Sequence, residues 1–193
     1  ATLRLNRPEW KVVEGDVHDV NGHDFGGVDL FAGGVPCPPF STAGKQLGTD
    51  DERDLFPEAL RLIGEINPAA VMLENVPGFA SSKFEEYRHD LWRKLSRLGY
   101  EAEWKIVNAR DFGVSQLRPR FVIVAMKPDL FEKFAWPEPA GEPPTVGEAL
   151  LDLMGSRGWP GAKQWSRRAN GIGPTLVGGS HKHGGPDLGP TRA

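Results

Sequence analysis

The sequence predicts an α/β fold in which helices cover both faces of a largely parallel sheet. Short apolar runs alternate with longer segments whose apolar residues recur at helical spacing. The 193 residues include 24 Gly and 17 Pro, and many of them stand between these segments, where they favour turns. Alternation of strands with helices is typical of parallel sheets that are built from strand–helix–strand units.

The first elements follow from apolar runs and their breakers. Residues 10–14 predict a short strand. The apolar run at residues 28–35 predicts a second strand, which ends where a group of prolines begins. Residues 51–66 predict a helix, since their apolar side chains recur every three or four positions, and Asn67-Pro68 ends it.

The later elements repeat this alternation. Residues 69–73 predict a buried strand, and residues 82–98 predict an amphipathic helix that Gly99 stops. Residues 100–107 and 121–126 predict two strands on either side of a loop. We find no internal repeat.

Composition excludes several classes of protein. The chain has 23 basic and 26 acidic residues, so it is not a polycationic nucleic-acid binder. A single cysteine excludes a disulfide framework and a multi-cysteine zinc site, and we expect no metal. No apolar run approaches about 20 residues and no signal peptide is evident, so we expect no membrane and a cytoplasmic protein.

Charge divides the chain near Gly155. Residues 1–154 carry a net charge of −8, whereas residues 155–193 carry +5. We expect one domain over 1–154 and a different region over 155–193, which is either a solvated tail or a surface for a polyanion. The chain starts without Met and stops in Gly- and Pro-rich sequence, which we interpret as a truncated piece of a longer protein.

Two side chains follow predicted buried strands, where open α/β sheets bind their ligands. Cys37 lies between prolines that stiffen its loop, as suits a preset nucleophile, although many lone cysteines are simply buried apolar residues. Glu74 directly follows the strand predicted at residues 69–73, where desolvation would raise the pKa of a carboxyl group. The alternative for Glu74 is a helix cap or a turn residue.

Two arginines stand next to the last predicted strand. Arg118 and Arg120 are two positions apart, so on an extended chain they point the same way and can grip a carbonyl, a carboxylate or a phosphate. The alternative is an exposed pair on a hairpin.

The order and spacing of these motifs carry a resemblance. In sequence, the motifs are Gly15-Asp16, Pro36-Cys37-Pro38-Pro39-Phe40-Ser41, Glu74-Asn75-Val76 and Gln116-x-Arg118-x-Arg120. Over roughly residues 10–126 the chain resembles the DNA (cytosine-5)-methyltransferase family. The resemblance implies that residues 1–154 are a partial catalytic domain with a Rossmann-like, S-adenosylmethionine-dependent methyltransferase sheet. It also implies that residues 155–193 are the start of a loop-rich target-recognition region, itself incomplete.

The resemblance implies roles for the strand-end residues. The Cys37 thiolate would attack carbon 6 of a cytosine flipped out of duplex DNA. Glu74 would bind the exocyclic amine and ring nitrogen 3, and Arg120 would contact the ring carbonyl oxygen. Arg118 would support Glu74 and the cysteine loop, and Asn75 would help to hold that loop.

The resemblance also implies binding residues and partners. S-adenosylmethionine would lie against Asp16, Val17, Pro36 and Leu55. DNA would be contacted by Ser41, Lys45, Gln46, Arg167, Arg168 and Lys182. We expect a monomer that acts on duplex DNA in a bacterial restriction-modification system, beside a cognate restriction endonuclease.

The resemblance is incomplete. The glycine-rich turn that opens the family pattern does not precede Asp16, and the later motifs do not follow residue 193, so we expect weak or no activity of this chain alone. Two alternatives stay open: a tRNA cytosine-5 methyltransferase of the same family, and a non-catalytic DNA-binding fragment.

Overall fold

The structure is a computed structural model that describes residues 2–36 and 54–176. Its four strands are β1 (Leu30–Gly34), β2 (Ala70–Asn75), β3 (Glu101–Asn108) and β4 (Pro119–Met126). Its α-helices are α1 (Thr2–Asn6), α2 (Phe56–Ile66), α3 (Glu85–Arg97), α4 (Pro128–Phe131), α5 (Val146–Gly155) and α6 (Ala162–Arg168). Short 3₁₀ turns include Val17–Asp19, Gly22–Phe25, Pro77–Ala80, Ser82–Phe84 and Ala109–Phe112.

The strands form one mixed sheet in the order β1-β2-β4-β3, which confirms the α/β class. Strands β1 and β2 are parallel, but β4 runs antiparallel to both of its neighbours, β2 and β3. The expectation of parallel strands was therefore wrong for β4. The reason is the short link from β3 to β4, which contains a 3₁₀ turn and Gly113 at φ 82°. Such a link turns the chain back, whereas a parallel pair needs a longer crossover, usually through a helix.

The predicted strand at residues 10–14 is also wrong. These residues form no strand, and the Trp10 and Val13 side chains are exposed. The local bond from the Val12 amide to the Trp10 carbonyl, 3.0 Å long, uses groups that a sheet ladder would need. Among the described residues, this segment has no neighbouring strand to pair with.

The main core lies between the sheet and the helices α2 and α3. Apolar side chains at helical spacing on α2 and α3 pack on Val71, Leu73, Phe121 and Ile123 of β2 and β4. Phe79, which is fully buried, stacks on Phe56 at 5.1 Å between ring centroids and meets Phe121 edge-on at 5.0 Å. Of the residues described, the opposite face of β2 carries Met72, which is 44% exposed.

A second, smaller cluster joins α5 to α6 through Val146, Trp165 and Ala169. The helices approach so closely that a Cβ at Gly147 would lie 2.0 Å from the Ser166 carbonyl oxygen, so only glycine fits there. The chain after α6 then runs back to the loop before β4, where the Leu117 amide donates to the Gly173 carbonyl at 2.7 Å. The domain boundary near residue 155 stays a prediction.

Within residues 2–36 and 54–176, no helix is long and apolar enough to cross a membrane.

Candidate active site

Glu74 and Arg120 are brought together by the register of the sheet. Glu74 lies opposite Val122 on the antiparallel neighbour β4, and Arg120 lies two residues before Val122. Residues two apart on a strand share a face, so both side chains emerge on the same side of the sheet. Arg120 Nε lies 2.5 Å from Glu74 Oε1, and the two side chains are 19% and 42% exposed.

The second carboxylate oxygen of Glu74 faces strand β1. Gly34 is the register partner of Glu74, and a Cβ at Gly34 would stand 3.5 Å from Glu74 Oε2. One oxygen is therefore bound to the guanidinium, while the other lies beside a position that carries no side chain. Such a carboxylate is oriented by one partner and accessible to another.

Asn75 ties the ends of the two parallel strands together. Its side chain is 2% exposed, its Nδ2 donates to the Val35 carbonyl at 3.4 Å, and its Oδ1 accepts from the Val76 amide at 2.8 Å. Val35 is two residues before Cys37. The predicted role of Asn75 in holding the cysteine loop stays a prediction, and this buried amide is the contact on which it depends.

Arg118 is placed differently from Arg120. It is half-buried, its amide donates to Asn108 Oδ1 at 2.9 Å, and its carbonyl accepts from the Ala109 amide. Among residues 2–36 and 54–176, no side chain pairs with its guanidinium. The structure therefore brings Arg120 to Glu74, and the supporting role expected of Arg118 stays a prediction.

Asp16 caps the 3₁₀ turn Val17–Asp19 and is exposed. Its Oδ1 accepts from the His18 amide at 3.0 Å and lies 2.7 Å from His18 Nδ1. These bonds lower the pKa of Asp16, and the bond to Asp16 raises the pKa of His18. The lowered pKa keeps this carboxylate ionised at neutral pH. Its Oδ2 receives no hydrogen bond from the described residues and is able to accept an amino group such as that of adenine. The residues thus fit the expected cofactor.

Helix α2 fixes the segment that carries Asp16. Arg61 donates to Glu58, to Glu65 Oε1 at 2.6 Å and to the Val20 carbonyl at 2.7 Å. Glu65 Oε2 in turn accepts the Gly22 amide at 2.7 Å, and Arg61 lowers the pKa of Glu65. The same helix starts just after Leu55, which packs at the edge of the main core.

Sequence reasoning missed this network. The spacing of Glu58, Arg61 and Glu65 on one helix face could have indicated the helix-internal pairs. Nothing in the sequence pointed to the backbone groups of Val20 and Gly22, because those contacts depend on how the chain packs. A Cβ at Gly22 would lie 2.6 Å from Glu65 Cβ, so the close approach requires glycine there.

The other expected site residues are divided between described and undescribed parts of the chain. Pro36 is exposed at the end of the first described range, and Val17 is half-buried. Arg167 and Arg168 are exposed in the last turn of α6. Outside the described residues lie Cys37, Ser41, Lys45, Gln46 and Lys182. In the part that the structure describes, no group of three or more His, Cys, Asp or Glu side chains is arranged to hold a metal ion.

Comparison with known proteins decides the family. The model of the C-5 cytosine-specific DNA methylases matches residues 1–173, which is most of the chain. The chain belongs to this family. The resemblance inferred from its motifs is thereby confirmed.

Individual relatives of the chain support the same family. It is 56% identical over its whole length to the type II methyltransferase M.NaeI of Lentzea aerocolonigenes, of which it covers 48%. It is 58% identical over 91% of its length to the type II methyltransferase M.NgoMIV of Neisseria gonorrhoeae, of which it covers 57%. The chain thus spans about half the length of these relatives.

Solved structures show the same fold. A protein described as a DNA modification methyltransferase, encoded within an Escherichia coli prophage, is 29% identical with a TM-score of 0.62; the match covers 77% of this chain and 44% of that one. The DNMT2 structure from Spodoptera frugiperda is 22% identical with a TM-score of 0.58, and the match covers 75% of this chain and 46% of the DNMT2 chain. At this identity the match supports the fold only. The expected α/β methyltransferase fold is therefore confirmed.

Proposed function

We propose that the protein methylates carbon 5 of cytosine in duplex DNA, as the modification enzyme of a bacterial type II system in the cytoplasm. The observation that carries the proposal is the Glu74–Arg120 pair at the strand ends, with Asn75 bonded to Val35 just before Cys37. This arrangement brings a fixed carboxylate to the same edge of the sheet at which the chain leads into the only cysteine.

Carbon 5 of cytosine is a weak nucleophile, and covalent addition at carbon 6 makes it a stronger one. The Cys37 sulfur forms a bond to carbon 6, and the electron pair of the 5,6 double bond moves into the ring toward nitrogen 3. Glu74 binds the exocyclic amine and nitrogen 3 and favours protonation there. After methylation, loss of the proton from carbon 5 and cleavage of the sulfur–carbon bond restore the ring and the thiolate.

The pairing of Glu74 with Arg120 suits a carboxylate that has to bind the cytosine ring. Arg120 holds Oε1 and fixes the direction of the carboxylate, which leaves Oε2 for the base on the side of Gly34. The remaining guanidinium donors of Arg120 suit the ring carbonyl oxygen. The target cytosine has to leave the duplex stack to reach these groups, so we infer base flipping.

The binding residues complete the proposal. When bound, S-adenosylmethionine supplies the methyl group. Asp16 accepts the adenine amino group through its unbonded oxygen, Val17 and Leu55 contact the ring, and Pro36 borders the methionine end. Ser41, Lys45 and Gln46 contact the DNA around the flipped base, and Arg167, Arg168 and Lys182 contact phosphates or bases of the target.

A covalent trap tests the proposal. A duplex oligonucleotide with 5-fluorocytosine at the target position, incubated with the full-length protein and S-adenosylmethionine, should retain the protein as an adduct, because fluorine cannot leave as a proton does. Cys37→Ser should abolish the adduct. Methylation of tRNA without any methylation of duplex DNA would contradict the proposal and favour the tRNA enzyme.

A further inference from the structure

Arg120 stands near the start of its strand, where the backbone has few neighbours to hold it. It is the second residue of β4, which begins at Pro119. On one side, β4 pairs with β2 only as far as Phe121. On the other side, Arg120 lies opposite Val107 of β3, and Pro119 lies opposite Asn108. Strand ends open most readily, so the position of Arg120 depends on how the end of β3 holds the start of β4.

The Asn108 side chain forms part of this attachment. Its Oδ1 accepts the Arg118 amide at 2.9 Å, and the Arg118 carbonyl accepts the Ala109 amide at 3.2 Å. Both backbone groups of the residue before β4 are therefore bonded to the end of β3. The same Oδ1 accepts the Arg110 amide at 3.4 Å and caps the 3₁₀ turn Ala109–Phe112. One side-chain oxygen thus holds both ends of the loop that joins the two strands.

The guanidinium of Arg120 is bonded to the backbone that Asn108 secures. Its Nη1 donates to the Pro119 carbonyl at 2.8 Å, and its Nε lies 2.5 Å from Glu74 Oε1. Pro119 directly follows Arg118, whose amide Asn108 binds. A shift at the start of β4 therefore moves the guanidinium relative to the Glu74 carboxylate.

We propose that Asn108 is a positioning residue for Arg120, because it holds the start of β4 where the guanidinium meets both Glu74 and the cytosine ring. The inference rests on the proposed function, since it concerns the contact of Arg120 with the ring carbonyl oxygen. Asn108 itself does not touch the substrate. A misplacement of about 1 Å can slow a reaction by about 100-fold, so a smaller shift at Arg120 should slow methyl transfer by about tenfold.

Two substitutions separate the two bonds of Asn108. Asn108→Asp keeps an oxygen that reaches both the Arg118 and the Arg110 amides. Asn108→Ser has a shorter side chain, which can still cap the turn at Arg110 but does not span to Arg118. If Asn108→Ser folds poorly, Asn108→Thr has the same reach and a higher strand propensity.

The measurement is the single-turnover rate of methyl transfer to duplex DNA by the full-length protein at saturating S-adenosylmethionine. We expect Asn108→Asp to stay within about threefold of the wild-type rate, because its oxygen accepts the same two amides. We expect Asn108→Ser to be about tenfold slower. Equal rates for the two variants would overturn the inference.

Asn67 provides a matched control at the other end of the same strand. Its Oδ1 accepts from Lys127 Nζ at 2.7 Å, and Lys127 directly follows β4. Asn67 has φ 51°, a left-handed conformation that glycine adopts without strain, so Asn67→Gly removes the bond and keeps the backbone. We expect this variant to keep the wild-type rate. Slowing equal to that of Asn108→Ser would indicate a general loss of sheet stability and would overturn the inference.

A double-mutant cycle tests whether Asn108 acts through Arg120. Arg120→Met removes the guanidinium, so adding Asn108→Ser to it should slow methyl transfer by less than about twofold, against about tenfold in the wild-type background. Equal slowing in both backgrounds would contradict the inference and leave the proposed function intact. A wild-type protein that transfers no methyl group to duplex DNA would overturn the proposed function and, with it, the inference.

Discussion

Glu74 and Asp16 are both carboxylates paired with a basic side chain, yet they are held in place by different means. Glu74 is fixed by strand register, since β2 and β4 carry it and Arg120 to the same face of the sheet. Asp16 is fixed by a short turn on the surface, which side chains of α2 hold in turn. Register is shared by the whole sheet, whereas the turn depends on a few contacts of Arg61 and Glu65.

The difference also appears in exposure. The side chains of Arg120 and Glu74 are 19% and 42% exposed, while those of Asp16 and His18 are 64% and 58% exposed. Exposed ion pairs contribute little to stability because water and salt screen them, whereas partly buried pairs hold their two side chains in place more firmly. We therefore expect chemistry to depend strongly on the first pair and cofactor binding to depend only moderately on the second.

The largest effect is expected at the strand ends. Glu74→Gln keeps the size of the side chain but removes the charge that pairs with Arg120. In the proposed mechanism this charge also favours protonation at nitrogen 3. We expect methyl transfer to fall by about 100-fold or more, within the range typical of a general acid or base. Tritium transfer to duplex DNA measures it, with Glu101→Gln on β3 as the control. A loss below threefold would mean that the pair is structural only.

The main elements of the fold were predictable, except where pairing decided the outcome. The helix at α2 follows the predicted spacing, because burial of one apolar face is a local pattern. The position of β4 between β2 and β3 depends on which strands pair with each other, and no local sequence pattern encodes strand pairing. For the same reason, the strand predicted at residues 10–14 does not form, since no strand of the described residues pairs with it.

The candidate site was predictable to a similar degree. Glu74 and Arg120 were found because strand ends and a known motif order point to them. The pairing of Arg120, rather than Arg118, with Glu74 follows from register, which the sequence does not show. The bond from Arg61 to the Val20 carbonyl and the bond from Tyr87 to Asp54 each span more than thirty positions of the chain, so single-sequence patterns could not reveal them.

An intermediate effect is expected from the helix that holds the Asp16 turn. Arg61→Met keeps much of the side-chain length but loses the bonds to Glu65 and the Val20 carbonyl. We expect the affinity for S-adenosylmethionine to fall by about tenfold, as for residues that act on a site without touching the ligand. Calorimetry measures it, and Arg93→Met, which removes an exposed pair with Asp90 on α3, is the control. If both variants bind the cofactor equally, the turn does not depend on α2.

The smallest effect is expected at the Asp16–His18 pair itself. Asp16 raises the pKa of His18 above its ordinary value of 6.5, and Glu58 of α2 raises it further while Arg61 opposes this. The stability from His18 is therefore complete below 6.5 and is lost as pH rises through the raised pKa. The contribution of Asp16, whose pKa lies below 3.8, is present above that value and is lost as pH falls through the lowered pKa.

The histidine proton signals of the protein report this directly by nuclear magnetic resonance. His18 should titrate above 6.5, and Asp16→Asn should lower its midpoint, whereas Asp24→Asn in the next 3₁₀ turn should leave the midpoint unchanged. Because the His18 amide still donates to Asp16 when the ring is neutral, cofactor affinity should change by only about twofold across this titration. A larger change would show that the charge of His18, and not the turn, holds the carboxylate in place.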